Sequence, residues 1–201
     1  MTGINVINLK DMIDELGEHE VKIMLSEFSC PANKEVEFFL HKKSIEFAKQ
    51  GLSQTHLVYM PYKSKPTLVG YFTLAQKTIL VFPSSVSKSL GKKMSKFSKY
   101  DDKTKSRLLP AILIAQFSKN FTDGIDKLIQ GEELLKITLD KIEAVHSIIG
   151  GRVIFLECED NEKLINFYER FGFVSFGQRP IESDEKYNQK APYYIQMLKY
   201  L

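Results

Sequence analysis

Gly151 to Phe173, GRVIFLECEDNEKLINFYERFGF, is the stretch that most restricts how this chain folds. Arg152 to Cys158 is a short apolar run rich in β-branched and aromatic residues, the pattern of a largely buried strand. Asp160 or Asn161 is placed to cap a following helix, with Glu162 in a first turn whose dipole favours negative charge. Leu164, Ile165 and Tyr168 recur at helical spacing. Gly172, just after Phe171, suits the left-handed residue that ends a helix. Phe173 to Phe176 then resumes extended structure. A strand, a capped helix and a second strand packed into so few residues belong to a layered fold of sheet and helix.

The chain has 201 residues, 43% hydrophobic and 26% charged, enough for one domain with a substantial core. A net charge of +3 does not by itself call for nucleic acid. It hides a local excess, because Lys88, Lys92, Lys93, Lys96, Lys99, Lys103, Lys105 and Arg107 face only Asp101 and Asp102 between residues 88 and 107. Two cysteines, Cys30 and Cys158, and four scattered histidines give neither a disulfide framework nor metal-ligand spacing, so no metal is expected. Cys158, closing a buried strand, reads as a small hydrophobe. The first residues lack the basic start and apolar core of a secretory signal, and no apolar run approaches membrane length. The expectation is a cytoplasmic protein with no membrane partner.

Along the chain, residues 1–26 read as a lead-in with a short helix near Asp14 and an edge strand at Val21 to Leu25, where apolar and polar residues alternate. Asn33 is a candidate N-cap for a helix whose face is Val36, Phe39, Leu40, Ser44, Phe47 and Ala48, closed by Gly51. Thr55 to Met60 and Leu68 to Ala75 read as paired strands joined by a turn-rich link, Pro61 to Pro66, and extended structure continues over Thr78 to Phe82. Ser84 to Ser106 has few apolar anchors and reads as an exposed, partly helical insertion. Leu108 to Phe117 is a near-continuous apolar run, the mark of a strand covered on both faces. A loop, Ser118 to Gln130, leads to a helix over Gly131 to Ile149, and Pro192 to Tyr200 reads as a final strand. The expected organisation is a single domain over 1–201, with the lead-in at about 1–26 and the basic insertion at about 84–107.

The order of elements and the Tyr168, Gly172, Phe173 signature resemble the GCN5-related N-acetyltransferases, the GNAT superfamily. Within it the chain resembles small bacterial and phage-type acetyltransferases and, more distantly, the aminoacyl-tRNA-acetylating toxins, whose layout includes a similar Gly–Tyr–Phe strand (Gly70–Tyr71–Phe72 here) and Phe–Tyr–Glu–x–Phe–Gly–Phe run (167–173 here). The resemblance implies an α+β fold with a mixed, mostly antiparallel central sheet and helices on both faces. It implies acetyl-CoA as co-substrate and transfer of an acetyl group to a primary amine by direct attack on the thioester. The pantetheine would follow Ile114, Ala115, Gln116 and Phe117, with a backbone N–H there facing the oxyanion. The pyrophosphate would sit near Lys127, Gln130, Gly131 and Glu132, where helix-start amides hold anions. The sequence departs from the family's glycine-rich loop, offering only Gly124 and Gly131 in NFTDGIDKLIQG, and it adds Asp123 and Asp126; Lys119 and Lys127 are the candidates to offset them.

Tyr168 is the implied general acid for the departing thiolate, its alternative being a core aromatic on an amphipathic helix. Asn161 would touch the pantetheine, or cap its helix, or both. Gln116 stands where many relatives carry a glutamate, and Glu157 and Glu159 read as a solvated strand end or a base for the amine. The acceptor is a small molecule or a protein amine, with aminoacyl-tRNA as an alternative and a second copy of the chain as a further partner. A GNAT fold serving only as a binding module is the competing reading from outside enzymology.

Overall fold

The computed structural model describes residues 3–182 and 192–201. Among these residues it is an α+β fold with eight strands in a mostly antiparallel sheet. The chain divides into two compact units: residues up to Ala75 with Ile114–Val145, and Gln76–Leu113 with His146–Leu201.

In the first unit, β1 (Asn5–Asn8) pairs antiparallel with β2 (Gln54–Tyr62), and β2 with β3 (Lys65–Val81). The β2–β3 link is shorter than the sequence suggests. Tyr62 pairs with Lys65, and only Lys63 and Ser64 turn, both at positive φ (48° and 61°). Two consecutive left-handed residues make the tight hairpin turn that matches strand twist. Register slips opposite Val58 and Tyr59, a bulge that leaves the carbonyl of Val69 to the amide of Asn120 at 2.9 Å.

Helix α1 (Leu9–Leu16) is capped by Asn8, whose side chain accepts from the Lys10 amide, and α2 (Glu18–Ser26) follows directly. Val21 to Leu25 therefore lies in a helix and not in an edge strand. Five residues of apolar–polar alternation also place Val21 and Leu25 on one helical face, and both are buried. Asn33 caps α3 (Lys34–Phe38) as expected, accepting from the amides of Glu35 and Val36. A π-helical turn over Phe39–Lys43 joins α3 to α4 (Ser44–Lys49). These helices bury Leu9, Val21, Leu25, Val36 and Leu40 with Leu57 and Tyr71 of the strands. The Tyr71 hydroxyl, deep in this core, donates to the Val36 carbonyl at 2.6 Å.

In the second unit, β6 (Val153–Glu159) and β7 (Val174–Pro180) flank β8 (Tyr193–Tyr200), both antiparallel. The three-residue β4 (Lys99–Asp101) pairs with the start of β5 (Ser106–Lys119). The basic segment is better anchored than its composition suggests. It forms α5 (Lys88–Ser95), and Met94 is buried in a core with Val81, Leu109, Phe155, Phe176 and Leu198. α6 (Gly131–Ile149) and α7 (Glu162–Glu169) have the expected bounds, and Gly172 adopts φ 83°, the left-handed stop read from the sequence.

Candidate active site

β5 delivers Ile114, Ala115, Gln116 and Phe117 in a continuous run, with Ile114 buried and the other three half-buried. The Gln116 amide lies 3.5 Å from Glu35 Oε1, at the outer limit of a hydrogen bond. Strand β3 passes close to the end of β5 because residue 70 is glycine. A Cβ there would stand 2.9 Å from the Ser118 carbonyl oxygen and 3.0 Å from Leu134 Cδ2. This close approach gives Gly70 of the Gly–Tyr–Phe segment a physical reason.

Asn120, which sequence reasoning passed over, fixes the loop that follows. It is fully buried. Its Nδ2 donates to the Leu68 carbonyl at 2.9 Å, and its Oδ1 accepts from the amides of Ser29 and Thr122, each at 3.1 Å. A buried amide that both donates and accepts across three segments specifies one loop position. The chain then turns through a short 3₁₀ segment, Thr122–Lys127, with Asp123 and Gly124 both left-handed at φ 49° and 77°. Lys119 is committed to this turn, its Nζ donating to the Asp126 carbonyl at 2.8 Å, so it braces the loop and does not face it as a free charge. Lys127 is exposed and ends the segment that Asp123 begins to turn.

Gln130 begins α6, its carbonyl accepting from the Leu134 amide at 3.1 Å. The amides of Gly131 and its successors have no intrahelical acceptor and point out along the helix dipole. Gln130 and Glu132 are exposed and Gly131 is half-buried. Glu132 and Glu133 lie in the first turn. The backbone thus fits an anionic group, while the carboxylates oppose it; the helix-start amides are the donors an anion would meet here.

In the second unit, Asn161 and Tyr168 occupy opposite ends of α7. Asn161 is the N-cap, its side chain accepting from the Lys163 amide at 2.9 Å, which leaves its Nδ2 as a donor. Tyr168 lies in the last turn and is 8% exposed. Its ring meets those of Phe167 and Phe173 edge-on, at 5.1 and 5.8 Å. Burial, with a smaller contribution from Cys158, raises the phenol well above its ordinary value, so it is a held proton. Burial also pushes the Cys158 thiol up to about 12, aided by Glu159 and Asp160. Cys158 is therefore a packed thiol, as expected, and no nucleophile.

Glu157 is not part of a solvated strand end. Its carboxylate takes both Arg179 Nε and Nη2 at 2.8 Å and the Gln196 amide at 3.0 Å. A carboxylate held by a two-pronged guanidinium and an amide is fixed between its strands and committed to structural partners. Its partners come from β7 and β8, far along the sequence, so only the pairing of strands reveals them. Among the described residues no cluster of His, Cys, Asp and Glu is arranged to hold a metal ion, and no helix is long and apolar enough to cross a membrane.

No family model and no curated protein matches the chain. Solved structures do. AtaT complexed with acetyl-methionyl-tRNAfMet is 17% identical, with a TM-score of 0.61 over 96% of this chain and 93% of that one. A tyrosine-to-phenylalanine mutant of KacT is 16% identical, with a TM-score of 0.63 over 96% and 94%. AtaTR bound with AcCoA is 14% identical, with a TM-score of 0.56 over 100% and 94%. At such identities the likeness is one of fold, and it spans nearly the whole of each chain: this protein has the fold of the GCN5-related N-acetyltransferases.

Proposed function

We propose that this protein is an acetyl-CoA-dependent N-acetyltransferase. The observation that carries the reading is the end-to-end likeness to AtaTR bound with AcCoA, together with a buried, protonated tyrosine in the helix-ending signature. Pantetheine runs beside Ile114–Phe117, and the pyrophosphate takes the helix-start amides at Gly131 with Gln130 and Lys127. Glu132 flanks that site, and Asn161 offers its Nδ2 to the pantetheine. A neutral primary amine attacks the thioester carbonyl, and the carbonyl π electrons move onto oxygen. A backbone N–H of the Ile114–Phe117 run donates to that oxyanion. Collapse breaks the C–S bond, the thiolate takes the Tyr168 proton, the nitrogen of the product loses its own to water, and a proton from solvent restores the Tyr168 phenol.

The acceptor we propose is the α-amine of an aminoacyl-tRNA. Two observations favour it over a small amine: AtaT is held with acetyl-methionyl-tRNAfMet in a similar fold, and this chain concentrates lysines on α5. Transfer of label from radiolabelled acetyl-CoA to aminoacyl-tRNA, set beside transfer to free amino acids and polyamines, tests the assignment. Label on tRNA alone supports it; label on the small amines alone overturns it.

A further inference from the structure

Helix α5 carries an arrangement that folding alone does not call for. Ser87 caps it, accepting from the Leu90 amide at 3.2 Å, and Met94 seats it in the second unit's core. On the side away from that core, Lys88, Lys92 and Lys96 recur every four residues. Like charges at this spacing repel and destabilise a helix. Among the described residues no hydrogen bond or ion pair holds any of these three ammonium groups. The stripe is therefore an unneutralised row of cations, spaced about 6 Å apart by helix geometry.

Beside it lies a cavity of about 300 Å³, with Pro83 and Val86 in its wall, Met94 buried behind them, and Lys88, Lys92 and Arg107 around it. The Arg107 guanidinium is braced, lying 5.4 Å from the Tyr100 ring and donating to Ser98 Oγ at 3.2 Å. The fourth residue of α5, Gly91, also lines this cavity. A glycine inside a helix is less favourable than alanine. Nothing in the packing requires one here, since an added Cβ would meet only Val86 Cγ2, at 3.9 Å. The missing side chain keeps the cavity open.

We infer that this cavity is a nucleotide subsite, taking one unpaired base of an RNA against Pro83 and Val86 while flanking phosphates lie on Lys88, Lys92 and Arg107. The inference rests on the reading of the acceptor as an aminoacyl-tRNA. An apolar slot with a cationic rim matches a splayed-out nucleotide, whose base is flat and apolar on its faces and whose linkages are anionic. The volume is at the small end for ligand cavities, which suits one base.

The test is anisotropy of labelled, deacylated tRNA with the full chain at several salt concentrations. The parent protein binds, and Gly91→Leu, which fills the slot, weakens binding at least tenfold with the salt slope unchanged. Gly91→Ala binds like the parent. Lys88→Ala with Lys92→Ala lowers the slope by about 1.4, the share of two phosphates on a single strand. Thermal melting and acetyl-CoA binding of Gly91→Leu, both retained, separate a filled slot from a damaged fold. Parental affinity in Gly91→Leu overturns the subsite and leaves the tRNA reading standing. No RNA binding by the parent overturns both. Binding of polyglutamate in place of RNA, lost in Gly91→Leu, overturns the subsite in favour of an acidic polypeptide.

Discussion

The ring of Tyr168 meets that of Phe173 edge-on, centroids 5.8 Å apart and planes at 68°, across the turn that ends α7. Gly172 makes this contact available. Its left-handed backbone reverses the chain so that Phe173 returns over the helix, and the Phe173 amide donates to the Tyr168 carbonyl at 3.2 Å. The signature is thus one packed unit, and the aromatic contacts hold the phenol in a single place while burial keeps it protonated.

Replacing Tyr168 by Phe keeps those ring contacts and removes the hydroxyl. Acetyl-CoA affinity and melting temperature should stay near parental values, while turnover falls by roughly 10²–10⁴, the usual loss for a general acid. Steady-state kinetics beside a binding titration check this. Parental turnover would return Tyr168 to a purely structural role.

Asn120 ties residues 29, 68 and 122 to the start of the loop before α6. Asn120→Ala strands the Ser29 and Thr122 amides and the Leu68 carbonyl, at a cost of roughly 2–4 kcal/mol. Denaturant unfolding should show that loss, and acetyl-CoA should bind more weakly because the loop is no longer fixed.

Gly131→Glu tests the helix start directly. A carboxylate among amides that hold a pyrophosphate should cost acetyl-CoA affinity by tenfold or more, with the fold kept, since glutamate is favourable in a first turn. Unchanged affinity would remove Gly131 from the site.

His56 is buried, stacked 5.0 Å from Phe72, and its Nδ1 has no hydrogen-bond partner. Burial, then the charge of Lys141, lowers its pKa from 6.5 to about 4, against a raising effect of Asp11. The folded state thus binds this proton less readily than the unfolded chain. The contribution to stability is whole above pH 6.5 and drains away as pH falls to 4, by about 3 kcal/mol. Urea unfolding across that window should show the fall, and His56→Leu should flatten it.

Where one residue type has a local duty, the sequence declared the structure. Asn33 and Asn161 cap, Gly172 stops, and the apolar stripe of α6 runs from Gly131 to Ile149. Val21 to Leu25 misled because so short an alternation satisfies both a strand and a helix face, and packing against β-strand residues decided it. The link at Lys63 and Ser64 was hidden because neither residue is a usual left-handed former. Of the candidate site, the places of Asn161 and Tyr168 at the two ends of α7 were legible from spacing. The Asn120 knot and the Glu157–Arg179 pair were not, since each joins segments far apart in sequence. Met94 anchors an otherwise polar segment, and one methionine among lysines carries little signal in composition.

Calorimetric titration of the purified protein with acetyl-CoA tests the central claim most directly. The account predicts saturable binding of one acetyl-CoA per chain, with a Kd between about 1 μM and 1 mM, the span ordinary for enzyme substrates. Absence of any binding at millimolar acetyl-CoA, from a protein that melts cooperatively, would contradict it and leave a GNAT fold that serves only as a binding module.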